Sequence, residues 1–143
     1  MSNEEFLRDW LNSVWLEKDF AKAAKAFGDG TCTSHVAGEK PLEKGDYETM
    51  VEAMCANFDV THLKLSHIME VGDEISALLE ICGKGRNTPK DICCSVYLYR
   101  RIQNGKFVEA HSNPDYLSFY AALGQLPSDV MLSLMMGAKL QEV

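Results

Sequence analysis

Apolar residues return at helical spacing near the start of the chain. Phe6, Trp10 and Val14 form one line, and Leu7, Leu11 and Trp15 form the next. This pattern predicts a long amphipathic helix with an aromatic stripe. Ser2 and Glu5 open it as an S-x-x-E capping box. A short second helix is predicted from Asp19 to Phe27, where Phe20, Ala23, Ala24 and Phe27 share a face and Gly28-Asp29-Gly30 stops it. Thr31 to Val36 is rich in β-formers and reads as a strand. Pro41 and Gly45 punctuate a loop. Asp46 is expected to cap a third helix, with Tyr47, Met50, Val51, Met54 and Phe58 facing inward.

The period then changes to two. Leu63, Leu65, His67, Met69 and Val71 alternate with polar positions, Ile68 apart, and Gly72-Asp73 marks a turn. Ile75, Ala77, Leu79 and Ile81 alternate next, up to the Gly83–Pro89 loop. Asp91 to Ile102 reads as a long strand, Asn104-Gly105 as a tight hairpin turn, and Lys106 to Ser112 as the last strand. Asn113-Pro114-Asp115 starts a helix running to about Leu123, with Gly124 just past its end. Ser128 caps a final segment, Val130 to Met136. Helices, an antiparallel meander and helices again mean α+β. With no repeat, low-complexity stretch or linker, one domain is expected over the 143 residues.

Composition narrows the function classes. The apolar fraction is 46%, enough for a packed core, and the formal net charge is −7. That balance argues against nucleic acid and against anionic membrane as partners, since both reward clustered Lys and Arg. No apolar run approaches the ~18–20 residues that span a bilayer. The first residues, Met1-Ser2-Asn3-Glu4-Glu5, lack the layout of a secretory leader. Five cysteines, at 32, 55, 82, 93 and 94, are an odd number with no C-x-x-C pair. Reduced, buried thiols in a cytoplasmic protein are expected, with no metal site. Cys93 and Cys94 are neighbours in a strand, so they point to opposite faces.

The most recognisable stretch is Gly105-Lys106-Phe107-Val108-Glu109, followed by Pro114 and Asp115 and closed by Leu123-Gly124-Gln125-Leu126-Pro127. With the helix leading through Asp29, the Gly45-Asp46 helix start and Gly72-Asp73-Glu74-Ile75, the chain resembles the nuclear-transport-factor-2-like superfamily. Within it, SnoaL-like polyketide cyclases and ketosteroid isomerase are the nearest kinds. The resemblance covers residues 3–127, with 128–143 as a C-terminal helical extension, and Phe107 stands where relatives commonly carry Ile. It implies a cone-shaped α+β barrel: N-terminal helices packed on a strongly bent antiparallel sheet around an apolar cavity. It also implies a homodimer. Fold alone does not fix chemistry, because sites are grafted onto it.

The resemblance places His35 where ketosteroid-isomerase-like members hold an Asp general base. An imidazole suits proton transfer near neutral pH. Ser112 falls where epoxide-hydrolase-like members carry a carboxylate, so acid–base work there is absent and a hydroxyl is left to hold a ligand oxygen. Tyr97 is the candidate phenol for polarising a carbonyl, with Tyr99 beside it on the same strand face. Periodicity alone would instead send Ile92, Cys94, Val96 and Leu98 inside, and a one-residue slip exchanges the faces. The cavity wall is expected from Trp10, Val14, Trp15, Leu79, Ile81, Tyr99 and Ala110. His67 reads as a core or interface residue, His62 and His111 as solvent or interface residues, and Asp115 as a helix cap. Arg100-Arg101 reads as a short, salt-bridged basic pair. The Met131–Met136 cluster is expected over the pocket mouth or against a partner.

These residues imply a small-molecule protein needing no cofactor. The first reading is an isomerase, cyclase or dehydratase acting by proton transfer on an apolar carbonyl or ring substrate. The second is a non-catalytic carrier of a small apolar molecule, and the third a dimeric interaction domain.

Overall fold

The computed structural model describes residues 1–33, 43–88 and 90–140, apart from the side chains of Asp29 and Lys44. The elements are α1 (Asn3–Leu11), α2 (Phe20–Lys25), β1 (Phe27–Thr33), α3 (Lys44–Asn57), β2 (Phe58–Val71), β3 (Glu74–Gly85), β4 (Asp91–Gln103), β5 (Lys106–Pro114), α4 (Tyr116–Ala122) and α5 (Val130–Met135). The five strands form one sheet in the order β1-β5-β4-β3-β2. Strands β2 to β5 are an antiparallel meander. β1 joins β5 in parallel, so the sheet is mixed and open-edged rather than an antiparallel closed barrel. The curved sheet and the helices on it make the α+β cone that the resemblance implied. No helix among the described residues is long and apolar enough to cross a membrane.

Local rules account for most element ends. Ser2 and Glu5 form the expected capping box on α1. The helix does not run on unchanged to Trp15. Asn12–Leu16 is a π-turn, closed by the Glu17 N–H on the Asn12 carbonyl at 3.0 Å. Asp46 is not the cap of α3: Glu43 is, and Asp46 accepts its backbone N–H at 3.0 Å as the far half of a second box. β1 begins at Phe27, directly after α2 and earlier than expected, because Thr31 Oγ1 ties the Gly28 turn to the Phe107 carbonyl. Residues 34–36 of the expected strand lie outside the described residues. Asn104 and Gly105 both have positive φ, 52° and 71°, as a type I′ hairpin requires.

The alternation in β2 breaks at His67. This residue sits at φ 52° in an irregularity between the Ser66 and Met69 pairings. The extra residue exchanges the faces beyond it. Ile68 packs on the core, while Met69 and Val71 are 69% and 75% exposed. His67 is exposed rather than on the apolar face.

A sulfur pair corrects the thiol expectation. Cys82 and Cys93 are directly opposed on β3 and β4, with Cα atoms 4.1 Å apart, and form a disulfide. Cys32, Cys55 and Cys94 are free. Cys93 and Cys94 point to opposite faces as expected, but only Cys94 is buried; Cys93 is exposed.

The core contains a cluster of aromatic rings. Trp10 meets Phe107 edge-on at 4.9 Å between centroids, and Phe6 and Phe27 each meet Phe107 at 5.5 Å. Tyr47 joins this group at 5.3 Å from both Trp10 and Phe27. At the C-terminus, α5 buries Val130 but leaves Met131, Leu132, Met135 and Met136 exposed.

Candidate functional site

The inward faces of β3, β4 and β5 meet the π-turn and α3 around an apolar cavity. Trp15, Leu79, Ile81, Ala110 and Ser112 line it. Thr33, Tyr47, Met50, Met54, Cys94, Arg100 and Tyr116 also contribute, and the sequence reading had not assigned them to it. The centres of water-sized molecules have about 50 Å³ available there. At ~10–15 Å³ per water, that is room for a few waters or a slim ligand. Met50 and Met54, two flexible side chains, form part of the wall and can yield to a broader one.

Strand parity decides which residues reach this space. Ile92, Cys94, Val96, Leu98, Arg100 and Ile102 share the buried face of β4. Among the described residues only Arg101 of the expected salt-bridged pair makes an ion pair; Arg100 does not. It is 2% exposed, whereas Arg101 on the other face approaches Glu74 at 3.6 Å. Arg100 Nη1 donates to the carbonyls of Tyr99 (2.9 Å) and His111 (3.0 Å), and Nη2 donates to Ser112 Oγ (3.2 Å). The guanidinium carbon lies 5.3 Å from the Phe107 ring centroid and 5.9 Å from that of Trp10. Phe107 thus gives the cation a ring face that an Ile would not.

The polar end of the cavity is rich in donors. Arg100 Nε and Trp15 Nε1 are buried without a hydrogen-bond acceptor. The Tyr47 phenol interacts with both the guanidinium and the indole. Burial pushes the Tyr47 pKa up, against the pull of Arg100, so the phenol is a neutral donor at neutral pH. Burial lowers the Arg100 pKa, opposed by Tyr47, yet a guanidinium stays charged in proteins. Cys94 is raised to about 11, by burial first and then by Asp115. Burial also raises Tyr116, whose hydroxyl lies 3.6 Å from Met50 Sδ. Among the described residues no carboxylate or imidazole lines the cavity.

The remaining candidates fall elsewhere. His35 lies outside the described residues. Tyr97 is 66% exposed on the outer face of β4 and does not reach the cavity. Tyr99 is on that outer face too, stacked on His111 and bonded to Glu74. The alternation of apolar residues, not the resemblance, gave the correct register. Trp10 and Val14 are buried in the core beneath the cavity rather than in its wall. His62 is exposed, and His111 pairs with Glu109 at 3.4 Å on the outer face. Asp115 caps α4 by accepting the Ser118 N–H at 3.2 Å. No α5 residue lines the cavity.

No protein-family model matches the sequence, and no curated protein does either. Solved structures do match in shape. One is a "putative polyketide cyclase" from Acidithiobacillus ferrooxidans: TM-score 0.70, 18% identity, 87% of this chain and 99% of that one. Another is AclR, a "putative hydroxylase" from Streptomyces galilaeus: TM-score 0.72, 16% identity, 95% of this chain and 93% of that one. A third is a hypothetical protein with a ketosteroid-isomerase-like fold from Catenulispora acidiphila, solved with trimethylamine: TM-score 0.67, 15% identity, 85% of this chain and 93% of that one. At these identities the likeness is one of fold, and the chain has the nuclear-transport-factor-2-like fold of SnoaL-like and ketosteroid-isomerase-like proteins.

Proposed function

We propose that this protein binds a small apolar molecule in the cavity and carries out cofactor-independent proton transfer on it: isomerisation, cyclisation or dehydration at a carbonyl or ring. The observation that carries the reading is a mostly apolar cavity ending in converging donors, Tyr47 and Arg100. Such donors stabilise the oxyanion that forms when a carbon beside a carbonyl loses its proton. Tyr47 takes the polarising role first given to Tyr97, Ser112 orients an oxygen, and His35 is the base. The protein works as a homodimer, paired through the outer sheet face where Met69, Val71 and Tyr97 are exposed. The cytoplasmic location loses one of its two supports with the Cys82–Cys93 disulfide, since such bonds are rare in reducing compartments.

A second reading has its own support. Among the described residues no base lines the cavity, which favours a carrier that leaves its ligand unchanged. One experiment separates the two. Native mass spectrometry of gently purified protein, followed by denaturing extraction, identifies what the cavity holds. The released compound and a panel of unsaturated ketones are then incubated with wild type and His35→Ala. Turnover that disappears in the variant supports the enzyme. Turnover that survives it removes His35 as base. A co-purified compound that no sample alters supports the carrier.

A further inference from the structure

Among the described residues, Arg100 is a buried cation with no anion beside it. Its partners are two backbone carbonyls, a serine hydroxyl and the Tyr47 phenol, all neutral. None of the ion pairs among the described residues includes it. A desolvated, unpaired charge is costly, by several kcal/mol in order of magnitude. The chain as a whole is acidic, so a shortage of carboxylates does not explain the gap.

The donor count points the same way. A guanidinium has five N–H groups. Nη1 makes two of these bonds and Nη2 one, so among the described residues Nε–H and one Nη2–H have no partner beyond the neutral Tyr47 phenol. These two flank the same guanidinium carbon and offer a fork to a planar pair of oxygens. The indole N–H of Trp15, in the same cavity wall, makes no well-formed hydrogen bond and has only the neutral Tyr47 phenol beside it, which stands against both groups. These donors suit a monoanion with two acceptor oxygens.

We propose that the occupant of this cavity is a slim apolar monocarboxylate, its carboxylate received by Arg100 with Trp15 and Tyr47 as further donors. The proposal rests on the reading that the cavity binds a small molecule, and it names that molecule's class. Limited free space restricts the body to a single ring or a short alkyl chain against Leu79, Ile81 and the two methionines.

The test is titration calorimetry on the full chain with two matched pairs: benzoate against benzamide, and hexanoate against hexanamide. Each amide keeps the shape of its acid and removes the charge. The expected result is that at least one acid binds about tenfold or more tightly than its amide, in line with charge-assisted hydrogen bonding. Arg100→Met brings that acid down to the level of its amide. Should Arg100→Met not fold, Trp15→Phe, which keeps the aromatic wall and deletes the N–H, weakens the acid alone. Amides binding as tightly as acids overturn the carboxylate assignment and leave the cavity reading standing. Acid binding indifferent to both variants places the anion elsewhere and overturns it as well. Failure of all four compounds removes both readings.

Discussion

Ser112 Oγ accepts the Nη2–H of Arg100 at 3.2 Å, on the buried face that also holds the guanidinium's Tyr47 contact. Ser112 stands where the resemblance to epoxide-hydrolase-like proteins implied a carboxylate. A neutral residue at that place leaves the cation of the cavity uncompensated. Ser112→Asp would supply an internal counter-ion. The expected outcome is a more stable free protein, by about 1–3 kcal/mol for a charge-assisted bond, and benzoate binding reduced at least about tenfold. Arg100 depresses the carboxyl pKa of the new residue. The added stability is therefore present above the unfolded value of ~3.9 and lost as pH falls through the lower folded value. Thermal unfolding from pH 3 to 7 checks the first part and calorimetry the second.

The entry to β3–β4 depends on a missing side chain. A Cβ on Gly83 would lie 1.9 Å from the Asp59 carbonyl oxygen and 2.9 Å from the Val60 Cα, both backbone atoms. Neither neighbour can rotate away, so Gly83→Ala must push β2 off β3. A loss of about 2–4 kcal/mol is expected in urea unfolding, at the high end for one added methyl. Gly30→Ala, with nothing within 4 Å of its Cβ, is the control and should cost far less.

The disulfide predicts a thiol count. Denatured, unreduced protein should take up three equivalents of alkylating reagent, at Cys32, Cys55 and Cys94, and reduced protein all five. Mass spectrometry reads this directly. The bond closes a loop of separation 11, for which chain-entropy arguments give about 3 kcal/mol as an upper figure. Both ends already sit in paired strands, so a smaller loss is expected on reduction.

Alkali should unfold the protein early. Burial raises Cys94 to about 11 and pushes Tyr47 and Tyr116 up as well. Each of these groups is held neutral in the folded chain and ionises more readily in the unfolded one. Between the ordinary thiol range and about 11 the unfolded chain binds fewer protons, so stability falls as pH rises. Below that window the stability is intact. Circular dichroism melts at pH 8, 9, 10 and 11 should show a midpoint dropping steadily above about pH 9. Cys94→Ala should flatten the early part of that drop.

Much of the fold was legible because each element carries a local signature. Asn104-Gly105 can only be cheap as a type I′ turn, and Ser2 with Glu5 caps a helix wherever it falls. The inward face of α3, with Tyr47, Met50 and Met54, also followed from spacing. Less could be seen where a side chain's fate depends on partners far along the chain. The bulge at His67 has no sequence mark, yet it turns Met69 and Val71 to solvent. Cys82 and Cys93 are opposed only because the β3–β4 register puts them so. Trp10 and Leu11 in α1 and Val14 and Trp15 in the π-turn belong to one predicted apolar stripe, yet only Leu11 and Trp15 border the cavity. Arg100 was the readable miss. A cation at the same parity as Val96, Leu98 and Ile102 is a charge on a buried face, and that alone marks it for function.

The central claim is that the unpaired donors around Arg100 are ligand contacts. Nitrogen-15 NMR of the two indole N–H groups and the Arg100 Nε–H tests it most directly, with Trp15→Phe assigning the indoles. Adding benzoate should move Trp15 Nε1–H and Arg100 Nε–H downfield as they gain acceptors, leave Trp10 Nε1–H nearly still, and exceed any effect of benzamide. Saturating benzoate that leaves both the Trp15 and the Arg100 signals in place would contradict the account.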